Sequence, residues 1–353
     1  MFKHAINSKN MINRKIISIF LISSIALSAC AKSTTETVAK AEKPSTEQSK
    51  PDPALQQKIQ QLVQRTKKNM IFVEGGEYLM GDFGLVTPEL EKTVPNSRAL
   101  KNPKGNTLDP YEQKLPFTSD DDNKPLHKVA LDSFYMTNNK ITLEDYLIYL
   151  DINHLDYPDY IEQYPKEILD KLPAGANWQQ SQNYCLWLGK QLGKSMNLPT
   201  EAQWEYAARN RGQYVAYATN NGNIENGKNI FSYDQYKEIG EKYNYPNYAH
   251  LPILGEVPPN PLGFYDMVTN NKEWMYDWYD ANYYKNSEIK NPKGPHSGEY
   301  KSVRSSAPQG GDNAKHSDGI NFVRKKLSPK ALVKEPDGEL TDISESLSFR
   351  CVY

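Results

Sequence analysis

The sequence predicts a loop-rich α+β domain built from short antiparallel strands, carried behind a secretory leader and a tether. Three observations point to this. Capped helices begin at Thr142 and Thr200, residues 177–192 carry a helical stripe, and residues 71–81 and 127–136 read as strands. Tyrosine is unusually frequent at 24, tryptophan adds five, and Gly, Pro and Asn are scattered throughout, which suits one domain of many loops held by aromatic packing. Periodicity by itself gives no finer class than mixed α+β.

Residues 1–30 read as a bacterial lipoprotein signal. Basic residues precede an apolar run over 16–26, which is too short to span a bilayer easily, and Leu27-Ser28-Ala29-Cys30 closes it as a lipobox. Cys30 is then the lipidated N-terminus. Ala31 directly after it favours the outer membrane of a Gram-negative cell, with the domain facing the periplasm. Residues 31–53 are Ser, Thr, Glu, Lys, Pro and Ala with Val38 as the one large apolar side chain, so they act as a disordered tether. Leu55, Ile59, Leu62 and Val63 place a leading amphipathic helix over 54–69, and the folded domain follows over 70–353.

Charge excludes one class of partner. The 42 basic and 43 acidic residues are dispersed without a basic block, so the electrostatic footprint of nucleic-acid binding is absent. With Cys30 lipidated, Cys185 and Cys351 remain, either as a disulfide in an oxidising compartment or as two buried thiols.

Along the domain, Ile71 to Val73, Gly75-Gly76 and Glu77 to Met80 read as strand, turn and strand, hence a hairpin. Residues 82–124 are polar and contain the run Asp120-Asp121-Asp122, so they are expected to form a long surface insertion. Thr142 caps a helix with Asp145 at the capping-box position. Residues 177–192 carry Trp178, Cys185, Leu188 and Leu192 on one core-facing stripe. Pro199 stops the chain there, Thr200 caps the next helix, and Gln203 can reach back to it. Trp204, Ala207 and Ala208 form an apolar face, and Glu201, Glu205 and Arg209 a charged one, which predicts a docked surface helix. Residues 220–261 read as a second insertion of loop.

Several of these stretches together resemble the sulfatase-modifying-factor family, the formylglycine-generating enzymes and their relatives. They are Asn197-Leu198-Pro199-Thr200-Glu201-Ala202-Gln203-Trp204-Glu205-Tyr206-Ala207-Ala208-Arg209, the opening Val73-Glu74-Gly75-Gly76, Gly263-Phe264-Tyr265-Asp266-Met267, Glu273-Trp274, and Phe349-Arg350-Cys351. The resemblance runs from Ile71 to Tyr353. It implies a loop-rich variant of the C-type-lectin-like fold and a Cys185–Cys351 disulfide joining the last segment to the central helix.

It also implies where chemistry would sit. Active family members bind copper through two cysteines between an RGGS segment and a later arginine, and soft Cu(I) needs sulfur ligands. Here Val303-Arg304-Ser305-Ser306 stands for that segment, and no cysteine lies between it and Arg324, so no copper is expected. Non-haem iron relatives use a three-histidine set, whereas His127, His154, His250, His296 and His316 are scattered without an H-x-x-x-H arrangement. The resemblance further implies a Ca²⁺ site of hard oxygen ligands at Asp266, Thr269, Asn271 and Glu273, for whose carboxylates Lys272 could compete. A groove lined by Trp274, Trp278, Arg304 and His316 is the place for an unrecognised activity. No Gly-rich phosphate loop, Ser/His/Asp order or H-E-x-x-H is present.

The expected function is therefore a membrane-anchored lipoprotein that lacks catalysis and binds a protein partner through its insertions. Periplasmic lipoproteins similar to this family occur beside secreted antibacterial effectors, which implies immunity or inhibition of a lipase-type toxin as the concrete form. An oxidoreductase acting on cysteine-containing substrates and an envelope carbohydrate-binding or structural protein are the alternatives.

Overall fold

A computed structural model describes residues 52–84, 117–245, 251–305 and 319–353, all within one compact unit spanning residues 50–353. The leader with Cys30, nearly all of the tether, most of the first insertion, His250 and His316 lie outside the described residues.

Helix α1 (Pro53–Asn69) starts where a carboxylate and a proline favour it. Asp52 accepts from the Ala54 N–H, Pro53 opens the first turn, and Lys67 and Lys68 lie at the negative end of the helix dipole. Leu62 is buried, with Leu55 and Ile59 packed beside it.

Strands β1 (Met70–Val73) and β2 (Gly76–Met80) do not form the expected hairpin. β1 pairs with β4 (Phe134–Thr137) and β2 with β3 (His127–Leu131), both antiparallel. Residues 70–80 are thus one bent chain laid along residues 127–137. Two-residue hairpin turns need positive φ, and neither Gly75 nor Gly76 has it. Gly75 instead permits close approach, since a Cβ there would lie 2.4 Å from the Leu131 carbonyl oxygen. Its N–H donates to Ser133 Oγ.

Thr142 caps α2 (Leu143–Ile152) by accepting from the Asp145 N–H. The Asp145 carboxylate does not close a capping box. It takes the Arg65 guanidinium and so ties α1 to α2. Helix α3 (Trp178–Leu192) has a complete capping box at Asn177 and Gln180 and ends on Gly193 in the left-handed region. Cys185 and Leu188 are buried with Tyr184, while Trp178 and Leu192 are half-buried at the ends of the stripe.

Helix α4 (Glu201–Ala208) begins with the expected Thr200–Gln203 capping box. It is not a surface helix. Glu201, Glu205 and Arg209 are at most 2 % exposed, because the charged face packs against arginines from elsewhere in the chain. A further helix, α5 (Tyr233–Lys242), occupies the stretch expected to be loop. Its capping box, Ser232 with Gln235, is the signal that could have found it.

The main sheet has the order β10 (Leu347–Ser348), β5 (Lys272–Trp278), β6 (Lys301–Arg304), β7 (Lys325–Leu327), and β8 (Leu332–Lys334) pairs separately with β9 (Leu340–Asp342). β10 lies parallel to β5, so the sheets are not wholly antiparallel as expected. One core cluster joins β1–β4 to α4 through Val73, Val129, Trp204 and Phe264. A second joins α2, α3 and the chain end through Tyr146, Tyr184, Leu188 and Phe349.

Cys185 on α3 is bonded to Cys351, with their Cα atoms 5.4 Å apart and a separation of 166 positions in sequence. Backbone hydrogen bonds from Val352 to Asn197 and from Tyr353 to Tyr135 extend the same junction. Closing so long a loop removes denatured-state entropy worth about 5 kcal/mol in the chain-entropy account. The C185S/C351S variant should therefore unfold at clearly lower denaturant and become insensitive to reductant, while the native protein loses stability on reduction. Identical midpoints for native protein with and without reductant would contradict this.

Candidate functional site

The centre of the molecule is a cluster of charges around α4. Each turn of the helix presents a carboxylate to the same side, because residues four apart share a face. Glu201 accepts from Arg324 on both oxygens, at 2.8 and 3.0 Å, and from Arg304 Nε at 2.9 Å. Glu205 accepts from Arg304 Nη2 at 2.9 Å, from Arg209 Nη1 at 2.7 Å and from the Gly81 N–H. Arg304 spends its remaining donors on the Asn321 carbonyl and the Tyr284 hydroxyl, and Arg324 on the carbonyls of Asp122 and Asp280.

Asp277, on β5, adjoins this cluster and accepts from the Glu201 N–H at 3.0 Å. Burial, and then the neighbouring Glu201 carboxylate, push Asp277 up to about 8. Glu201 goes the other way. Against the cost of its own burial, Arg324 and Arg304 hold it down to about 2. The pair therefore carries one charge and one proton at neutral pH, with the charge on the residue that the arginines grip.

Lys301, on β6, is sealed between two tryptophans. Its Nζ lies 3.7 Å from the Trp178 ring centroid and 3.8 Å from that of Trp278, and it donates to the Tyr276 carbonyl. Burial lowers it to about 8, against the pull of Asp277.

The residues expected to line a groove are placed as follows. Trp274 is fully buried and donates to the Ala176 carbonyl, Arg304 is buried in the ion cluster, and Trp278 is one wall of the lysine sandwich. His316 is outside the described residues. Glu201, Glu205, Arg304 and Arg324 are each engaged by several protein partners, so these four groups hold the geometry of the cluster.

The residues expected to hold calcium are brought only partly together. The carbonyls of Asp266 and Thr269 and the Glu273 carboxylate surround one point, and that point is occupied by Lys140 Nζ. The Asp266 carboxylate points elsewhere, accepting from the Gly255 N–H and Asn270 Nδ2. Asn271 turns away to donate to the Glu345 carbonyl. Glu273 pairs with Arg350 and Lys140, and its second oxygen also accepts from Trp204 Nε1 on α4. Burial pulls the Lys140 amine below the ordinary lysine value, against the attraction of Glu273. Glu273 stays below the ordinary carboxylate value despite its burial, because Arg350 and Lys140 flank it. Calcium does not fit a position that an ammonium fills, and among the described residues no group of three or more His, Cys, Asp or Glu side chains could hold a metal ion.

Sequence reasoning missed Lys140, Asp277 and Lys301. Lys140 bonds residues 126 and 129 positions away, and no spacing rule connects them.

Comparison with known proteins follows the same lines. The family model of the sulfatase-modifying factor enzyme 1-like domain matches residues 55–325. The chain is 27% identical over 202 residues to a protein of Chlamydia pneumoniae named serine/threonine-protein kinase pkn1, covering 52% of this chain and 29% of that protein. It is 29% identical over 183 residues to the formylglycine-generating enzyme of Streptomyces coelicolor, covering 50% of each. The chain thus spans 29% to 50% of the length of these relatives. The solved structure of PvdO from Pseudomonas aeruginosa superposes with a TM-score of 0.50 at 19% identity, covering 80% of this chain and 93% of that one, which shows a shared fold.

The proton on Asp277 has a measurable consequence. Between about pH 4 and pH 8 the native state holds a proton that the unfolded chain, at its ordinary carboxyl value of 3.8, has lost, so this residue lowers stability as pH rises through that window. Glu201 acts below it, adding stability above its unfolded value of 4.5 that is lost as pH falls toward 2. D277N keeps the acceptor for the Glu201 N–H and removes the titration. Its stability relative to native protein should rise from pH 4 to pH 8 in denaturant titrations, and parallel curves would contradict the assignment.

Proposed function

Because the chain belongs to the sulfatase-modifying factor enzyme 1-like family, we propose that it is a non-catalytic member, held at a membrane by a lipid on Cys30, whose insertions bind a protein partner. The observation that carries this reading is the fate of the sulfur. The chain has three cysteines. Two of them are bonded to each other, and the third precedes the domain, so the domain has no thiol pair to hold the soft metal that formylglycine chemistry needs. The scaffold is read as the C-type-lectin-like variant that the family resemblance implies.

The partner reading rests on how the first insertion is rooted. Asp82 is buried, and its carboxylate accepts from the N–H groups of Gly84, Phe117 and Thr118 and from Thr118 Oγ1. One side chain thus clamps both ends of residues 85–116. Phe83 and Phe117 flank the same segment and pack edge-on against each other and against Phe322, which follows the stretch 306–318. Binding loops set on a rigid base are how such scaffolds acquire function. The most concrete partner is a secreted antibacterial effector of lipase type, with the protein on the periplasmic face of the outer membrane as its immunity factor. That form is supported by the resemblance to lipoproteins found beside such effectors.

The test uses the full chain in its native envelope. Native protein should retain one stoichiometric protein partner after gentle solubilisation. A variant with residues 85–116 replaced by a short Gly-Ser linker should keep the native melting temperature and lose the partner. Recovery of no stoichiometric partner by the native chain, or undiminished binding by the linker variant, would overturn the reading.

A further inference from the structure

We propose that the Lys140 ammonium is a built-in counter-ion at the position where the family resemblance implies calcium, and that removing it converts the loop over residues 266–273 into a divalent-cation site. This is independent of the partner reading.

The loop is shaped to aim oxygen at a point. Asp266, Asn270 and Asn271 all have positive φ, at 56, 57 and 76°. Each costs about 1 kcal/mol or more for a residue with a Cβ, so something must hold the backbone there. What meets the inward-turned oxygens is Lys140, which leaves the end of β4 and is fully buried. Its Nζ donates to the Asp266 carbonyl in a short hydrogen bond and to the Thr269 carbonyl at 2.7 Å. Glu273 Oε1 lies 3.1 Å from the same nitrogen but makes no directed hydrogen bond. That oxygen meets the ammonium as an anion meets a point charge, which is also how a carboxylate meets a metal ion.

Coordination number separates the two occupants. Calcium takes six to eight oxygens, whereas an ammonium has three N–H donors. Two hydrogen-bonded carbonyls and one ion-paired carboxylate oxygen suffice for an ammonium and fall well short of a calcium shell. Asn271 is committed to Glu345 and the Asp266 carboxylate to Gly255 and Asn270, so neither completes a larger shell. Charge agrees as well. Lys140 and Arg350 already stand against Glu273, and adding a divalent ion beside both cations would leave an excess of positive charge. With Lys140 shortened, the oxygens and the space remain, water can complete the shell, and a divalent ion restores the lost positive charge.

Thermal unfolding of the full chain in calcium chloride and in chelator, for native protein, K140A and K140M, tests this. Native protein should melt at the same temperature in both. K140A should melt roughly 10 °C lower in chelator, as expected when a buried carboxylate loses its partner, and recover at least half of that shift in millimolar calcium. K140M, whose stem still fills the space, should be destabilised and stay indifferent to calcium. If K140A accumulates as folded protein only when refolded with calcium, that supports the proposal equally. Stabilisation of native protein by calcium, native stability of K140A in chelator, or K140A that calcium fails to rescue would each overturn it.

Discussion

A charged carboxylate is buried only where cations or hydrogen-bond donors are buried with it, and this requirement organises the domain around α4. Glu201 and Glu205 bring two full charges into the interior, and every oxygen they carry is taken by an arginine or a backbone N–H. The arginines come from β6 and from the residue preceding β7, so satisfying the helix fixes the middle of the main sheet against it. Such networks add little net stability over a well-packed apolar core, but they tolerate no alternative packing, since moving any one member leaves a buried charge alone.

The second charge cluster repeats the logic a short distance along β5. Glu273 sits between Lys140 and Arg350, and its remaining contact is the indole N–H of Trp204, a residue of α4. One helix therefore reads both clusters, through its carboxylates on one side and a tryptophan on the other. Arg350 also ties down the chain end one residue before the disulfide, by donating to the carbonyls of Thr137, Asn138 and Tyr265. Sheet, helix and C-terminal segment are locked by side chains of this chain alone.

Much of this was legible in the sequence where the cause is local. The caps at Thr142 and Thr200 work across three residues, so the helices start where the spelling says they do. The family resemblance located the disulfide, which no spacing could have paired across 166 residues. Errors arose where the deciding partner is remote. Glutamates and an arginine at four-residue spacing look the same whether they face water or a buried arginine, and the arginines that bury Glu201 are 103 and 123 residues away. Gly75-Gly76 has the letters of a turn, yet its meaning comes from the backbone of residues 131–133 pressed against it. Lys140 carries no mark in the sequence at all, since its ligands are backbone carbonyls, which every residue has.

The proposed non-catalytic role rests on a domain whose two cysteines are bonded to each other, which leaves it no thiol pair. It is tested most directly by incubating the purified protein, reduced and oxidised in turn and supplied with Cu(I), with a cysteine-bearing sulfatase peptide, and following the peptide by mass spectrometry. The account predicts that the cysteine remains unconverted above a protein-free control under every condition. Catalytic conversion of that cysteine to the aldehyde, with more than one turnover per chain, would contradict it.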